Sequence, residues 1–238
     1  MSSQQKYRVL FFGNWGLGFA GLRALVNCDN VEIVKVYSKW DKSSLNPFLN
    51  LVFDYATKNM LNVFNTAKPL AKSDFVNDII AQEDVDYIVS CCYDRIFPKL
   101  VLSIPKTMAI NVHPSVLPKY RGVKPLENAI VNGEKKIGVT IHELVPEVDA
   151  GDILLQENTI DIQENDTYGY LHSQECNLAE ELIGRFFAKP TIYIRHKVPQ
   201  DDKAATYAPR LAFDIKADET VKQICQRYIN LVDKILNE

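Results

Sequence analysis

The chain has 238 residues and a formal charge of −3 at pH 7, with 27 Lys and Arg against 30 Asp and Glu. Hydrophobic residues make up 47% and charged residues 24%, a balance typical of a globular protein with a sizeable core. The small net charge argues against a surface dedicated to nucleic acid or anionic membranes, because such surfaces need clustered lysine and arginine.

The sequence carries no sign of export, membrane insertion or metal binding. Its five cysteines are irregularly spaced and form no CxxC pair, so neither a disulfide framework nor a zinc site is predicted. The first residues lack a signal-peptide core, and no stretch approaches the roughly 20 apolar residues of a spanning helix. We therefore expect a cytoplasmic protein without a metal.

Short apolar runs alternate with amphipathic stretches along the first half of the chain. Residues 7–12 (YRVLFF) predict a strand buried on both faces of a parallel sheet, and a glycine-rich turn and a helix follow. Further strands are predicted at residues 31–37, 62–65, 86–91 and 107–113. The alternation predicts an α/β fold, a Rossmann-like, doubly wound and mainly parallel sheet.

The pattern changes from Ile137 onward. Residues 138–145 and 153–156 predict two strands whose connection is too short for a crossover helix. An antiparallel addition at the sheet edge is therefore expected. A long helix is predicted from Thr167 to about Phe187.

We divide the chain at Pro190, which ends that helix. Residues 1–190 are expected to form the Rossmann-like domain. Residues 191–238 are expected to form a β-hairpin, with strands around Tyr193 and Tyr207, and a final amphipathic helix that serves as core or as a dimer seam.

The first candidate site is the glycine-rich turn at residues 13–21 (GNWGLGFAG), which contains GxGxxG between a strand and a helix. Asp41 follows about 20 residues later, as in a dinucleotide-binding turn, so an NAD-dependent oxidoreductase is one hypothesis. A tight turn without a ligand explains the same glycines. Trp15 is unusual in a pyrophosphate cradle and is better suited to line a substrate pocket.

The second candidate site starts where the strand at residues 107–113 ends. Asn111 and His113 lie on one face of that strand, because alternate side chains share a face. An amide and an imidazole provide an oxyanion donor and a proton-transfer group. Asp149, on the loop between two later strands, can orient His113 or accept a proton through water. A structural His–Asp pair is the alternative.

Four segments in this part of the chain form a pattern: residues 111–122 (NVHPSVLPKYRG), Pro125, residues 138–141 (GVTI) and residues 149–153 (DAGDI). The pattern resembles the folate-dependent formyltransferase family, over roughly residues 7–190. The resemblance implies a catalytic set of Asn111, His113 and Asp149, with N(10)-formyltetrahydrofolate as formyl donor. In the implied mechanism a neutral amine attacks the formyl carbon, Asn111 and protonated His113 stabilise the oxyanion, and Asp149 holds the imidazolium.

The resemblance also implies two binding regions. Folate is expected against two segments, at Tyr93, Asp94, Arg95, Ile96, Phe97, Leu144, Pro146 and Glu147. The acceptor is expected at Gly13, Asn14, Trp15, Lys119, Tyr120, Arg121 and Lys124, although a solvated loop would explain the cationic residues equally well. The other histidines, His142, His172 and His196, lack metal-ligand spacing and are interpreted as structural or surface residues.

Within the family, elimination favours a sugar N-formyltransferase. Methionyl-tRNA formyltransferases carry an additional RNA-binding domain, for which too few residues follow Pro190, and glycinamide ribonucleotide formyltransferases have a different phosphate loop. The expected acceptor is the primary amine of a nucleotide-linked aminodideoxy sugar, such as dTDP-4-amino-4,6-dideoxyglucose, used for surface polysaccharide or O-antigen.

The remaining expectations concern partners. We expect folate, the nucleotide sugar and a second copy of the chain in a homodimer, and neither nucleic acid nor membrane. Glycinamide ribonucleotide or methionyl-tRNA remains the alternative acceptor. An NAD-dependent oxidoreductase and a non-catalytic module that keeps the fold are more remote.

Overall fold

A computed structural model describes residues 6–46, 48–67, 72–82 and 84–237, with the backbone alone at residues 72–74 and 232–237. The strands of these residues are β1 (Tyr7–Gly13), β2 (Val31–Ser38), β3 (Val63–Asn65), β4 (Tyr87–Cys91), β5 (Met108–His113), β6 (Arg121–Gly122), β7 (Lys136–Glu143), β8 (Ile153–Asp161) and β9 (Tyr207–Ala208). The helices are α1 (Trp15–Val26), α2 (Leu51–Lys58), α3 (Lys72–Ile80), α4 (Lys99–Leu102), α5 (Pro125–Val131), α6 (Tyr168–Ala188), α7 (Pro190–Arg195) and α8 (Val221–Asn237).

Seven of the strands form one sheet in the order β3-β2-β1-β4-β5-β7-β8. The first five strands in this order pair in parallel, whereas β7 pairs antiparallel with both β5 and β8. This confirms the predicted mainly parallel, Rossmann-like sheet with an antiparallel edge. The register places Asn111 of β5 between Ser90 of β4 and His142 of β7.

The two faces of the sheet bury two different hydrophobic clusters. Along β1, Val9 and Phe11 belong to a first cluster with α1 and α6, while Leu10 and Phe12 belong to a second cluster with α3 and α4. Successive strand side chains point to opposite faces, so a continuously apolar strand fills both layers. In β5, Ala109 packs into the second cluster. Asn111 and His113 therefore project from that second face.

The C-terminal segment differs from the predicted β-hairpin. Tyr193 lies in α7, a helix that begins at Pro190, because proline at the first helical position favours a new helix. β9 pairs in parallel with β6 and not with a neighbouring strand. In α8, Ile224 is fully buried and packs in a third cluster that also contains residues of α5, so the start of this helix belongs to the core. The domain boundary and the dimer seam stay predictions.

None of the described helices combines the length and apolar character needed to cross a lipid bilayer.

The packing of β7 against β8 predicts a sharp contrast between two glycine-to-alanine substitutions. A Cβ at Gly138 would lie 1.8 Å from the backbone oxygen of Glu157, whereas a Cβ at Gly184 in α6 would meet nothing within 4 Å. We expect Gly138→Ala to destabilise the protein by about 1–3 kcal/mol or more, and Gly184→Ala to stabilise it by about 0.4–1 kcal/mol. Urea unfolding of both variants measures this, and equal midpoints would contradict the packing.

Candidate active site

Three predicted residues meet on the second face of the sheet. Asn111 Nδ2 lies 3.3 Å from Asp149 Oδ1, and His113 Nδ1 lies 3.6 Å from Asp149 Oδ2. The side chains of His113 and Asp149 are only 5% and 12% exposed. Asp149 reaches this position from the loop between β7 and β8. The structure thus brings together the predicted catalytic set, in a site that is largely shielded from water.

Asp149 is held by its surroundings in the charged form. Its backbone φ is +50°, the left-handed region, and its Oδ2 accepts a 2.8 Å hydrogen bond from the Gly122 amide. Burial raises the pKa of the carboxyl group, but His113, His142 and the Gly122 amide outweigh it and lower the pKa to about 2. A fixed negative charge therefore faces both imidazoles at neutral pH.

His142 lies in the site beside Asn111 and Asp149. The sequence interpretation of His142 as a structural or surface residue did not foresee this position. Its side chain is 1% exposed, and its Nε2 lies 3.2 Å from Asn111 Nδ2 and 3.5 Å from Asp149 Oδ1. His142 Nδ1 lies 2.8 Å from the carbonyl oxygen of Glu143 and therefore carries a hydrogen, and its Nε2 faces the Asn111 amide nitrogen. The contact fixes which way the Asn111 amide points.

The resting imidazole of His113 has one ring nitrogen on the backbone and the other facing Asp149. Its Nε2 donates to the carbonyl oxygen of Tyr120 at 2.8 Å. Burial lowers the pKa of His113 more than Asp149 and the Tyr120 carbonyl raise it, and His142 lowers it further, so the pKa falls below 6.5. The resting imidazole is therefore neutral at pH 7, with Nδ1 turned toward Asp149.

The two segments predicted to bind folate converge on the same face as the catalytic set. Tyr93, Phe97 and Leu144 all pack against the second cluster. Phe97 is 7% exposed and contributes packing, whereas Ile96 beside it is 78% exposed. These side chains form an apolar floor on the face of the sheet from which Asn111 and His113 project.

The polar members of these segments lie further out. Asp94 forms an ion pair with Lys39, and Arg95 donates to the Thr66 carbonyl. Pro146 and Glu147 are exposed on the loop that leads to Asp149. Contacts of Asp94, Arg95, Pro146 and Glu147 with folate remain predictions from the sequence.

Several residues predicted to bind the acceptor are buried in the scaffold. Asn14 is 1% exposed; its Oδ1 accepts from the Lys39 amide at 2.8 Å, and its Nδ2 donates to the Cys92 carbonyl. Tyr120 and Arg121 are 9% and 3% exposed. Their burial argues against direct contact with an acceptor.

The other predicted acceptor residues differ in how accessible they are. Trp15 is half-buried beside the turn. Lys119 and Lys124 are exposed and form ion pairs with Glu134 at 3.1 Å and Glu127 at 2.8 Å. Trp15, Lys119 and Lys124 are consequently the more accessible residues of this set.

Close packing explains the glycine-rich turn without a dinucleotide. A Cβ at Gly18 would lie 2.8 Å from the backbone of Gly13, and a Cβ at Gly21 would lie 2.5 Å from Cys91 Sγ. These glycines allow α1 to approach β1 and β4. The carboxylate of Asp41, whose spacing from the turn is that of a dinucleotide-binding motif, accepts hydrogen bonds from the backbone and hydroxyl of Ser43.

A polar pair on α6, half-buried His172 and buried Glu175, lies near this turn. Glu175 is 1% exposed, and His172 Nδ1 lies 3.5 Å from its Oε2. A Cβ at Gly16 would lie 3.0 Å from His172 Nε2. Burial raises the pKa of Glu175 to about 7. His172 and Glu175 are three residues apart, a spacing that places two side chains on the same face of a helix. The spacing alone therefore predicts their contact.

Metal ligands do not gather in the described part of the chain, where no three His, Cys, Asp or Glu side chains are placed to hold a metal ion.

Sequence comparison identifies the family. The profile described as formyl transferase matches residues 20–184. The chain belongs to the formyl transferase family. It is 35% identical to methionyl-tRNA formyltransferase of Mesoplasma florum over an alignment of 215 residues, and this alignment covers 87% of the chain. The chain spans 66% of that relative's own length.

Solved formyltransferases share the fold. Phosphoribosylglycinamide formyltransferase from Bacillus halodurans superposes with a TM-score of 0.64 at 22% identity, over 77% of this chain and 96% of that one. The N-formyltransferase from Helicobacter canadensis, solved with folinic acid and dTDP-3-aminofucose, has a TM-score of 0.67 at 21% identity, over 92% of this chain and 79% of its own. These likenesses confirm the fold of the family.

The burial of the site predicts how His113 titrates. We expect its NMR titration midpoint to lie below 6.5, because burial disfavours the imidazolium. Asp149→Asn should lower the midpoint further, because it removes the negative charge that raises the pKa. His196→Gln, at an exposed residue, is the matched control and should leave the His113 midpoint unchanged. A midpoint above 6.5, or a rise in Asp149→Asn, would contradict this electrostatic account.

Proposed function

We propose that this protein transfers a formyl group from N(10)-formyltetrahydrofolate to a primary amine. The proposal is carried by one observation: Asn111 and His113 both contact Asp149, at 3.3 and 3.6 Å, in a chain of the formyl transferase family. The adjoining apolar floor at Tyr93 and Leu144 would hold the folate, which supplies an activated formyl carbon.

The three side chains then have distinct roles in the transfer. As the amine nitrogen bonds to the formyl carbon, one of the two Asn111 Nδ2 hydrogens, which face Asp149 and His142 in the resting site, turns to the carbonyl oxygen that gains charge. The neutral His113 imidazole accepts the proton that the amine nitrogen loses, and Asp149 stabilises the imidazolium. His113 returns that proton to N10 of the folate as the old carbon–nitrogen bond breaks. Atoms and charge balance without another reactant.

Methionyl-tRNA is the acceptor that we propose first. The supporting observation is the 35% identity to the Mesoplasma florum methionyl-tRNA formyltransferase over 87% of this chain. By elimination from the sequence alone, this acceptor stands behind an amino sugar. The methionyl-tRNA formyltransferases are far more similar in sequence than the solved sugar N-formyltransferases, which supports reversing that order.

A nucleotide-linked amino sugar is the second candidate, and one structural observation favours it. Three cationic side chains after β5 are paired with carboxylates: Lys119 with Glu134, Arg121 with Asp202 and Lys124 with Glu127. Cations neutralised in this way attract the phosphates of a large RNA less strongly than free ones. A small acceptor with one diphosphate needs fewer of them.

A direct assay separates these acceptors. Purified protein is given N(10)-formyltetrahydrofolate with methionyl-tRNA, a panel of dTDP-linked 3- and 4-amino sugars, or glycinamide ribonucleotide, and tetrahydrofolate release is followed by absorbance. We expect turnover with methionyl-tRNA. Turnover with an amino sugar alone would establish the second candidate. Failure with every acceptor would overturn formyl transfer.

The catalytic set predicts the behaviour of single variants in that assay. We expect His113→Ala and Asn111→Ala each to lower kcat about 10²–10⁴-fold, the usual range for a lost acid–base group or oxyanion donor. His196→Gln, at an exposed residue outside the catalytic set and both predicted binding regions, is the control and should keep kcat within about twofold. Wild-type rates in His113→Ala would remove His113 from the mechanism.

A further inference from the structure

Gln200, between α7 and β9, uses every hydrogen-bonding position of its side-chain amide. Its Nε2 donates to the carbonyl oxygens of Asp149 and Gly151 at 2.8 and 2.7 Å. Its Oε1 accepts from Arg121 Nε at 3.1 Å and Nη2 at 2.8 Å. A primary amide offers two donor hydrogens and two acceptor lone pairs, so its orientation is fixed.

Arg121 anchors this amide from inside the protein. Arg121 is 3% exposed, and its remaining contact is an ion pair at 2.9 Å with Asp202, whose side chain is 81% exposed. A buried guanidinium needs its partners, because an unpaired buried charge is costly. Arg121 therefore holds Gln200 in place instead of binding an acceptor.

The chain beside Gln200 is also tied to the start of β8. Ile153 and Val198 exchange two backbone hydrogen bonds, both 2.8 Å. Lys197 Nζ forms ion pairs with Glu143 Oε2 at 2.6 Å and Asp152 Oδ2 at 3.0 Å. Gln200 thus reaches the loop between β7 and β8 from a segment that is fixed to the base of the same loop.

Gln200 holds the main chain of Asp149, a residue with an unfavourable backbone conformation. Asp149 has a φ of +50°, a conformation that persists in a non-glycine residue only when surrounding contacts enforce it. A small rotation there would carry its carboxylate away from His113 Nδ1, which lies 3.6 Å from it.

We propose that Gln200 is a positioning residue, which holds the main chain of Asp149 so that its carboxylate stays against Asn111 and His113. The proposal rests on the proposed function of that set. Gln200 lies outside residues 20–184, the part that matches the family profile. The catalytic geometry accordingly depends on the C-terminal segment.

The first test reads the charge balance at His113 and needs no turnover. The groups that face His113 are Asp149 from the β7–β8 loop, His142 from β7 and the Tyr120 carbonyl. Gln200→Met keeps the side-chain length and adds no charge. We expect the NMR titration midpoint of His113 to fall by about 0.5 pH unit or more, because the carboxylate that favours the imidazolium moves away.

Lys197→Met is the matched control, since it removes two ion pairs from the same segment without touching Asp149. It should leave the His113 midpoint unchanged even if thermal stability drops as much as in Gln200→Met. An unchanged midpoint in folded Gln200→Met, or an equal shift in Lys197→Met, would overturn the positioning role.

Kinetics provide the second test. We expect Gln200→Met to lower kcat by about 10- to 100-fold, because small misplacements of a catalytic group have large effects on the rate. The KM for N(10)-formyltetrahydrofolate and the KM for the acceptor should stay within about twofold. Gln200→Glu is the second variant, for use if Gln200→Met does not fold. It keeps an acceptor for Arg121 but loses both hydrogen-bond donors to the loop, and we expect it to lower kcat as well. Wild-type kcat in Gln200→Glu would refute the proposal. A wild-type protein without formyl transfer would refute the proposed function, while the His113 titration would still decide the role of Gln200.

Discussion

A buried negative charge on Asp149 organises this protein. The carboxylate lies mostly out of water and accepts hydrogen bonds from the Asn111 amide and the Gly122 backbone amide, while the imidazoles of His113 and His142 lie 3.6 and 3.5 Å from its oxygens. These groups come from β5, from β7 and from the turn at β6, so the charge ties together elements that are distant in sequence. Removing one partner would leave the carboxylate without full compensation, and the others would have to move.

The antiparallel edge of the sheet makes that arrangement possible. A purely parallel sheet would place a crossover helix after β5, whereas β7 lies directly against β5 and sets His142 opposite Asn111. The β7–β8 connection then crosses the face from which Asn111 and His113 project and delivers Asp149. The predicted folate segments pack on this same face. The donor and the proton-transfer groups would therefore meet on one side of the sheet.

Two kinds of information bear on the acceptor. Identity to methionyl-tRNA formyltransferases of known sequence favours an aminoacylated RNA. The pairing of the nearby cationic side chains with carboxylates favours a smaller acceptor. The electrostatic observation concerns affinity, whereas the reacting group of both candidate acceptors is a primary amine, so the proposed catalytic arrangement suits either candidate.

The sequence by itself determined the strands of the seven-stranded sheet, the long helix and the residues of the candidate catalytic set. Period-two burial and apolar runs are local properties, and the stretch from Asn111 to Asp149 carries a family pattern, so neither required knowledge of distant contacts. Tertiary structure decided the rest. The place of His142 depends on the register between β5 and β7, the burial of Asn14 and Arg121 depends on partners far along the chain, and Gln200 reaches Asp149 across 51 positions. Tyr193 lies in a helix and not in a strand because proline and packing outweigh the β preference of its short apolar segment. Local pattern cannot specify such contacts, because they form only when separate elements pack together.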